Sequence, residues 1–155
     1  MPSDEELLDV LKGILEPEGA LLDNVIQPAS LDQCERCIRW VRYSYRTSYS
    51  EDGQELEWKG SYAEAVAACE AHSTLLQANV EGAHYNCHCF SSEYLEFDVD
   101  PREFTDDVRR QGLLDFMRGL ALQADQDVAL HFEPWSAVRA SLVYSSTKRN
   151  FKMTS

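Results

Sequence analysis

Residues 83–90 read Ala83-His84-Tyr85-Asn86-Cys87-His88-Cys89-Phe90, and how this stretch is folded decides the architecture. It follows the run Thr74–Val80 across Glu81-Gly82, a pair suited to a tight turn, so the two runs predict an antiparallel hairpin near the middle of a sheet. Successive strand residues point to opposite faces. Ala83, Tyr85, Cys87 and Cys89 are therefore expected to face a core, and His84, Asn86 and His88 the other side, which Phe90 also joins.

Downstream, Tyr94–Val99 alternates with Leu95, Phe97 and Val99 inward. Asp100-Pro101-Arg102-Glu103 supplies a cap, a proline for the first helical position and an acid at the third, opening a helix to about Ala124 that Gly112 kinks or splits. Val128–Glu133 and Val138–Ser145 alternate again around Pro134-Trp135 and form a last antiparallel pair, leaving 148–155 as a basic, frayed tail.

Upstream, Ser3 with Glu6 and Ser61 with Glu64 are capping boxes for helices at Leu7–Leu15 and at 61–72. Pro17 and Gly19 end the first of them. Leu21, Leu22, Val25 and Ile26 predict a turn or brief helix. Ser30 and Gln33 cap a helical turn over Leu31–Arg36. Beyond it, the β-branched and aromatic residues predict a strand over Cys37–Ser50. Asp52-Gly53 turns that strand into Gln54–Lys59, pairing Tyr49 with Leu56, Thr47 with Trp58, Arg46 with Lys59 and Ser48 with Glu57. The order is α-β-β-α-β-β-β-α-β-β. Hairpins outnumber crossovers, so the class is α+β: a mainly antiparallel sheet of about five to seven strands with two or three helices on one face, in a single domain over 1–155.

Four cysteines and the histidine between two of them suggest metal chemistry. Cys34-x-x-Cys37 with Cys87-x-Cys89 would supply zinc thiolates. Strand geometry opposes it. Residues two apart stand ~6.7 Å apart along a strand, whereas thiolates sharing one zinc come within roughly 3.8 Å. His84 and His88 are ~13 Å apart in a strand, too far to share an ion. Buried thiols in a core, with no cofactor, are the simpler expectation, and zinc the alternative. The sequence has no nucleophile-elbow context and no glycine-rich phosphate loop, so a hydrolase or transferase would need a site without a recognisable motif.

Charge narrows the partners. With 14 basic against 27 acidic residues the net charge is −13, which repels nucleic acid and anionic membranes and favours a basic partner. An acidic N-terminus with periodic apolar residues does not read as a secretory signal, and five cysteines without an export signal point to the reducing cytoplasm. Size, acidity and class are similar to those of many bacterial immunity and inhibitor proteins. The expected function is thus a non-enzymatic protein-binding module for a basic protein. Acidic stretches 1–9, 51–57 and 93–107 would attract that partner, and Trp40, Arg42, Arg46, His84, His88 and Trp135 are the candidate contact residues.

Overall fold

The capping pairs open helices as the residues require. The structure, a computed structural model, describes residues 2–16, 20–135 and 139–154. Helix α1 (Asp4–Ile14) begins where the Ser3 side chain accepts the Glu6 N–H, and it buries Leu7 and Leu11. The helix stop expected at Pro17 and Gly19 lies outside the described residues, as does Val138. Strand β1 (Leu22–Ile26) replaces the turn or brief helix expected there. Its apolar spacing imitates a helix because Asp23 and Asn24 interrupt the alternation, yet all five residues are buried. It has a strand partner on each edge.

Helix α2 (Leu31–Ser44) overturns the strand expected over Cys37–Ser50. The Ser30 hydroxyl and Gln33 side chain complete a reciprocal capping box, and Cys34, Cys37, Ile38 and Val41 form one buried stripe. An alternating strand through the same residues would have pointed an arginine inward on either face. The helix instead leaves Arg39, Arg42 and Tyr43 exposed, so packing overrides β propensity. Strand β2 (Arg46–Glu51) then turns at Asp52-Gly53, with φ of 53° and 80°, into the short β3 (Gln54–Leu56). Tyr49 pairs with Leu56 as expected, but β3 ends there. Thr47, Arg46 and Ser48 pair instead with Ala78, Asn79 and Gln77.

Helix α3 (Tyr62–Ala68) is shorter than its sequence pattern. Strands β4 (Thr74–Val80) and β5 (Ala83–Cys87) form the expected hairpin through Glu81-Gly82, with φ of 54° and 90°. After β6 (Leu95–Val99), Pro101–Glu103 form a single 3-10 turn, and α4 (Asp107–Ala124) starts afresh at the Asp106 cap. The helix therefore breaks before Asp107, and it runs unbroken through Gly112. Strands β7 (Val128–Phe132), β8 (Ala140–Ser145) and β9 (Asn150–Met153) close the chain. The tail expected to fray is thus paired as β9, Phe151 lying opposite Tyr144.

Among the described residues nine strands form one sheet in the order β3-β2-β4-β5-β6-β1-β7-β8-β9, every pairing antiparallel, so the class is α+β with more strands than expected. Helices α1 to α4 pack over one face of it. Phe116 of α4 is the hub of that layer, with ring centroids 4.5 Å from Tyr85, 5.1 Å from Phe97 and 5.8 Å from both Trp40 and Tyr45. Each such aromatic pair adds about 0.5–1.5 kcal/mol to simple burial. Among the described residues no helix is long and apolar enough to cross a membrane.

Candidate functional site

The helix-free face of the sheet carries a polar row across six strands. Register places Ser48, Gln77, Asn86, Asp98, Asp23 and His131 side by side on β2, β4, β5, β6, β1 and β7. Phe97, one residue from Asp98, meets Phe116 of α4, so Asp98 and its neighbours in the row face away from the helices. The row is hydrogen-bonded along much of its length. Gln77 donates Nε2–H to Asn86 Oδ1 at 2.9 Å, and Asn86 donates Nδ2–H to Asp98 Oδ1 at 3.1 Å. His88 places Nε2 3.0 Å from Asp98 Oδ2 and stacks on the exposed Phe90 ring at 5.2 Å.

The chain of bonds stops at Asp23. This carboxyl is 1% exposed, and neither oxygen has a hydrogen-bond partner among the described residues. Burial, reinforced by the charges of Glu96, Glu133 and Asp98, pushes it up to about 7, against an opposing pull from His88. Glu96 is raised from its ordinary value by burial and by the same acidic neighbours, and is drawn back by the Trp135 hydrogen bond. Hydrogen bonding to Asp98 outweighs desolvation at His88 and raises it.

Trp135 explains how Asp23 is buried on a face without helices. The indole donates Nε1–H to Glu96 Oε2 at 2.6 Å. It meets Tyr94 edge-on at 5.2 Å and lies 6.3 Å from His131. Glu96 belongs to β6 and His131 to β7, so the indole bridges those strands across β1, over Val25 and Asp23. Two aromatic rings and four carboxyls (Asp23, Glu96, Asp98 and Glu133) thus meet above the middle of the sheet.

The candidate contact residues divide between the two sides. His84, His88 and Trp135 lie on the helix-free side, as does Arg46, which pairs with Asn79 at the far end of the sheet. His84 is held by Glu103, whose Oε1 lies 2.9 Å from Nδ1 and accepts the His84 backbone N–H at 2.9 Å. Trp40 is part of the helix layer, packed on Tyr45, Phe116 and the bare Cα of Gly119. Arg42 stacks over Trp58 at 5.2 Å, beside a groove of about 400 Å³ lined by Thr47, Ser48 and Glu55. These two residues are not brought to the acidic cluster.

The cysteines are dispersed into the core. Cys34 and Cys37 sit in the middle of α2, not in a turn, and burial pushes both thiols up to about 12. Cys87 is raised well above its ordinary value, chiefly by its contact with Cys89, whose Sγ lies 3.7 Å from the Cys87 carbonyl. Cys89 has φ of 57°, the local distortion that could have closed a thiolate pair, but its side chain is buried. Among the described residues no three His, Cys, Asp or Glu side chains are grouped so as to hold a metal ion.

Sequence reasoning reached Asp98 only as part of the acidic stretch 93–107 and did not single out Asp23 or Tyr94 as site residues. The available signal was an aspartate inside the apolar run 21–26. Compared with known proteins, the chain matches no family model, no curated protein and no solved structure.

Proposed function

We propose that this chain is a non-enzymatic protein-binding module that presents the helix-free face of its sheet to a basic partner, in the manner of an immunity or inhibitor protein. One contrast carries the reading. Several carboxylates elsewhere pair with a basic side chain of the chain itself: Asp4 with Arg118, Asp32 with Arg36, Glu51 with Lys59, Asp100 with Arg102, Asp106 with Arg109 and Asp107 with Arg110. Among the described residues no lysine or arginine pairs with Asp23, Glu96, Asp98 or Glu133, and His88 is bonded to Asp98. Four acids without a lysine or arginine partner, packed together on the open face beside half-buried Tyr94 and Trp135, favour a complementary cationic surface.

The test uses an arginine-rich peptide as probe, titrated calorimetrically from low to high salt. The E96Q/D98N/E133Q variant is compared with E5Q/D9N/E70Q, which removes the same charge from the helical side. The open-face variant is expected to lose affinity and salt dependence while the control keeps both. Equal losses in the two variants, or binding indifferent to salt, would overturn the reading.

A second reading, a hydrolase or transferase without a recognisable motif, is favoured by one observation: Asp23 and Glu96, both held toward their protonated forms, lie beside the His88–Asp98 pair. Chromogenic ester, phosphate and glycoside turnover that disappears in both D23N and E96Q would support it, and the absence of turnover in the wild type would count against it.

A further inference from the structure

A buried carboxyl without a hydrogen bond is costly even when neutral, and buried polar groups in folded proteins are nearly always partnered. Asp23 is such a group, at the centre of a nine-stranded sheet and surrounded by acids. Its lateral neighbours are Asp98 of β6 and His131 of β7, with Glu96, Glu133 and His88 acting on it from the same face. Above it lie the faces and edges of Tyr94 and Trp135.

From this geometry we infer that Asp23, Glu96, Tyr94 and Trp135 form a receptor for one arginine side chain of the partner, its guanidinium bonded to the two carboxylates and stacked against the rings. The inference rests on the basic-partner reading and names the group that the partner inserts. Guanidinium fits better than ammonium for two reasons. Its planar fork of N–H donors can serve both oxygens of a carboxylate, and its weakly hydrated flat face stacks on indole and phenol rings. Glu96 already accepts a planar N–H donor in this position, the Trp135 indole, which the entering guanidinium replaces.

Charge balance sets the pH dependence. Asp23 enters the complex as the carboxylate, so below about pH 7 binding expels its proton to solvent. Affinity for the cation then rises by close to tenfold per pH unit up to about pH 7 and levels above it. Loss of a proton from Glu96 acts in the same direction. Protonation of His88, favoured by its Asp98 hydrogen bond, opposes the cation at low pH and so steepens the same trend.

The experiment titrates ethylguanidinium into the full chain, following the Trp135 indole N–H and the Asp23 carboxyl by NMR at several pH values. Butylammonium and D23N are run in parallel. The expected result is saturable movement of both signals, tightening with pH, weaker for butylammonium and lost in D23N. W135F, which keeps a ring but removes the indole donor, is expected to bind ethylguanidinium without the competing Trp135–Glu96 bond and therefore more tightly. No saturable movement in the wild type, unchanged binding in D23N, or butylammonium binding as tight as ethylguanidinium would each overturn the assignment. If the arginine-rich peptide still recognises the open face in those cases, the receptor fails and the basic-partner reading stands. If E96Q/D98N/E133Q leaves peptide binding untouched, that reading fails irrespective of Asp23.

Discussion

Asp23 and Asp98 stand directly opposite each other in the β1–β6 ladder, both on the helix-free face, and of the two only Asp98 has hydrogen-bond partners among the described residues. Like-charged side chains opposite one another across a ladder are unfavourable. The conflict is relieved asymmetrically: Asn86 and His88 hydrogen-bond the Asp98 carboxyl, while burial moves Asp23 toward its neutral form. A binding face is thereby held in the folded protein at a cost in stability that depends on pH.

That cost has a defined sign. A carboxyl raised from 3.8 to about 7 holds its proton in the folded state where the unfolded chain has lost it. Stability from this group is complete below about pH 4 and declines until about pH 7, by on the order of 4 kcal/mol. Glu96 and His88, also raised, act in the same direction. Chemical denaturation should show the wild type losing stability from about pH 4 to pH 7, with D23N close to it at the acid end and more stable at the basic end. A D23N curve parallel to the wild type would show that Asp23 is not the source.

His88 reports on its partner. The Asp98 hydrogen bond is the leading cause of its raised value. In D98N the imidazole should titrate lower than in the wild type by NMR. The same substitution removes one of the acids that raise Asp23, so its carboxyl should titrate lower as well. An unchanged His88 titration would break the link between the two side chains.

Two glycines in helices should respond oppositely to alanine. A Cβ on Gly119 would lie 2.0 Å from Cζ2 and 2.1 Å from Cη2 of Trp40, so the ring must move and α2 separates from α4. G119A should lose about 1–3 kcal/mol or more in denaturant melts. Gly13 near the end of α1 has nothing within 4 Å of such an atom. G13A should gain up to about 1 kcal/mol from helix propensity.

Thiol reactivity should separate one cysteine from four. Cys34, Cys37, Cys87 and Cys89 are buried, whereas Cys69 is partly exposed at the end of α3. A disulfide reagent should label Cys69 first in the native protein, with the rest reacting only as the chain unfolds, because a thiol pushed up to about 12 has almost no thiolate near neutrality. C69S should abolish the fast phase, and its persistence would mean that the core thiols are accessible. Zinc content below a tenth of an equivalent in protein purified without added metal would count against the thiolate alternative.

Local chemistry was legible in the sequence wherever neighbours along the chain determine the outcome. Ser3, Ser30 and Ser61 cap helices because their hydroxyls meet backbone N–H groups three residues on. Asp52-Gly53 and Glu81-Gly82 turn because the glycine accepts positive φ without strain, and in the first of them the short aspartate before it also tolerates the left-handed region. The two faces of Ala83–Cys87, buried at Ala83, Tyr85 and Cys87, follow from strand alternation alone.

Where distant segments meet, local pattern was insufficient or misleading. Residues 37–44 have strand-like composition but become helical, because only a helix turns Arg39 and Arg42 to solvent while Cys37, Ile38 and Val41 pack. Residues 22–26 have helix-like spacing but become the strand between β6 and β7, where pairing on both edges compensates for Asp23 and Asn24. The stretch 83–90 therefore supplied the hairpin and His88, but not the acidic cluster as a whole. Asp23, Tyr94, Glu96, Asp98, Glu133 and Trp135 are separated by up to 112 residues (135 minus 23) and converge through sheet order and one folded-back indole, long-range relationships that no local pattern encodes.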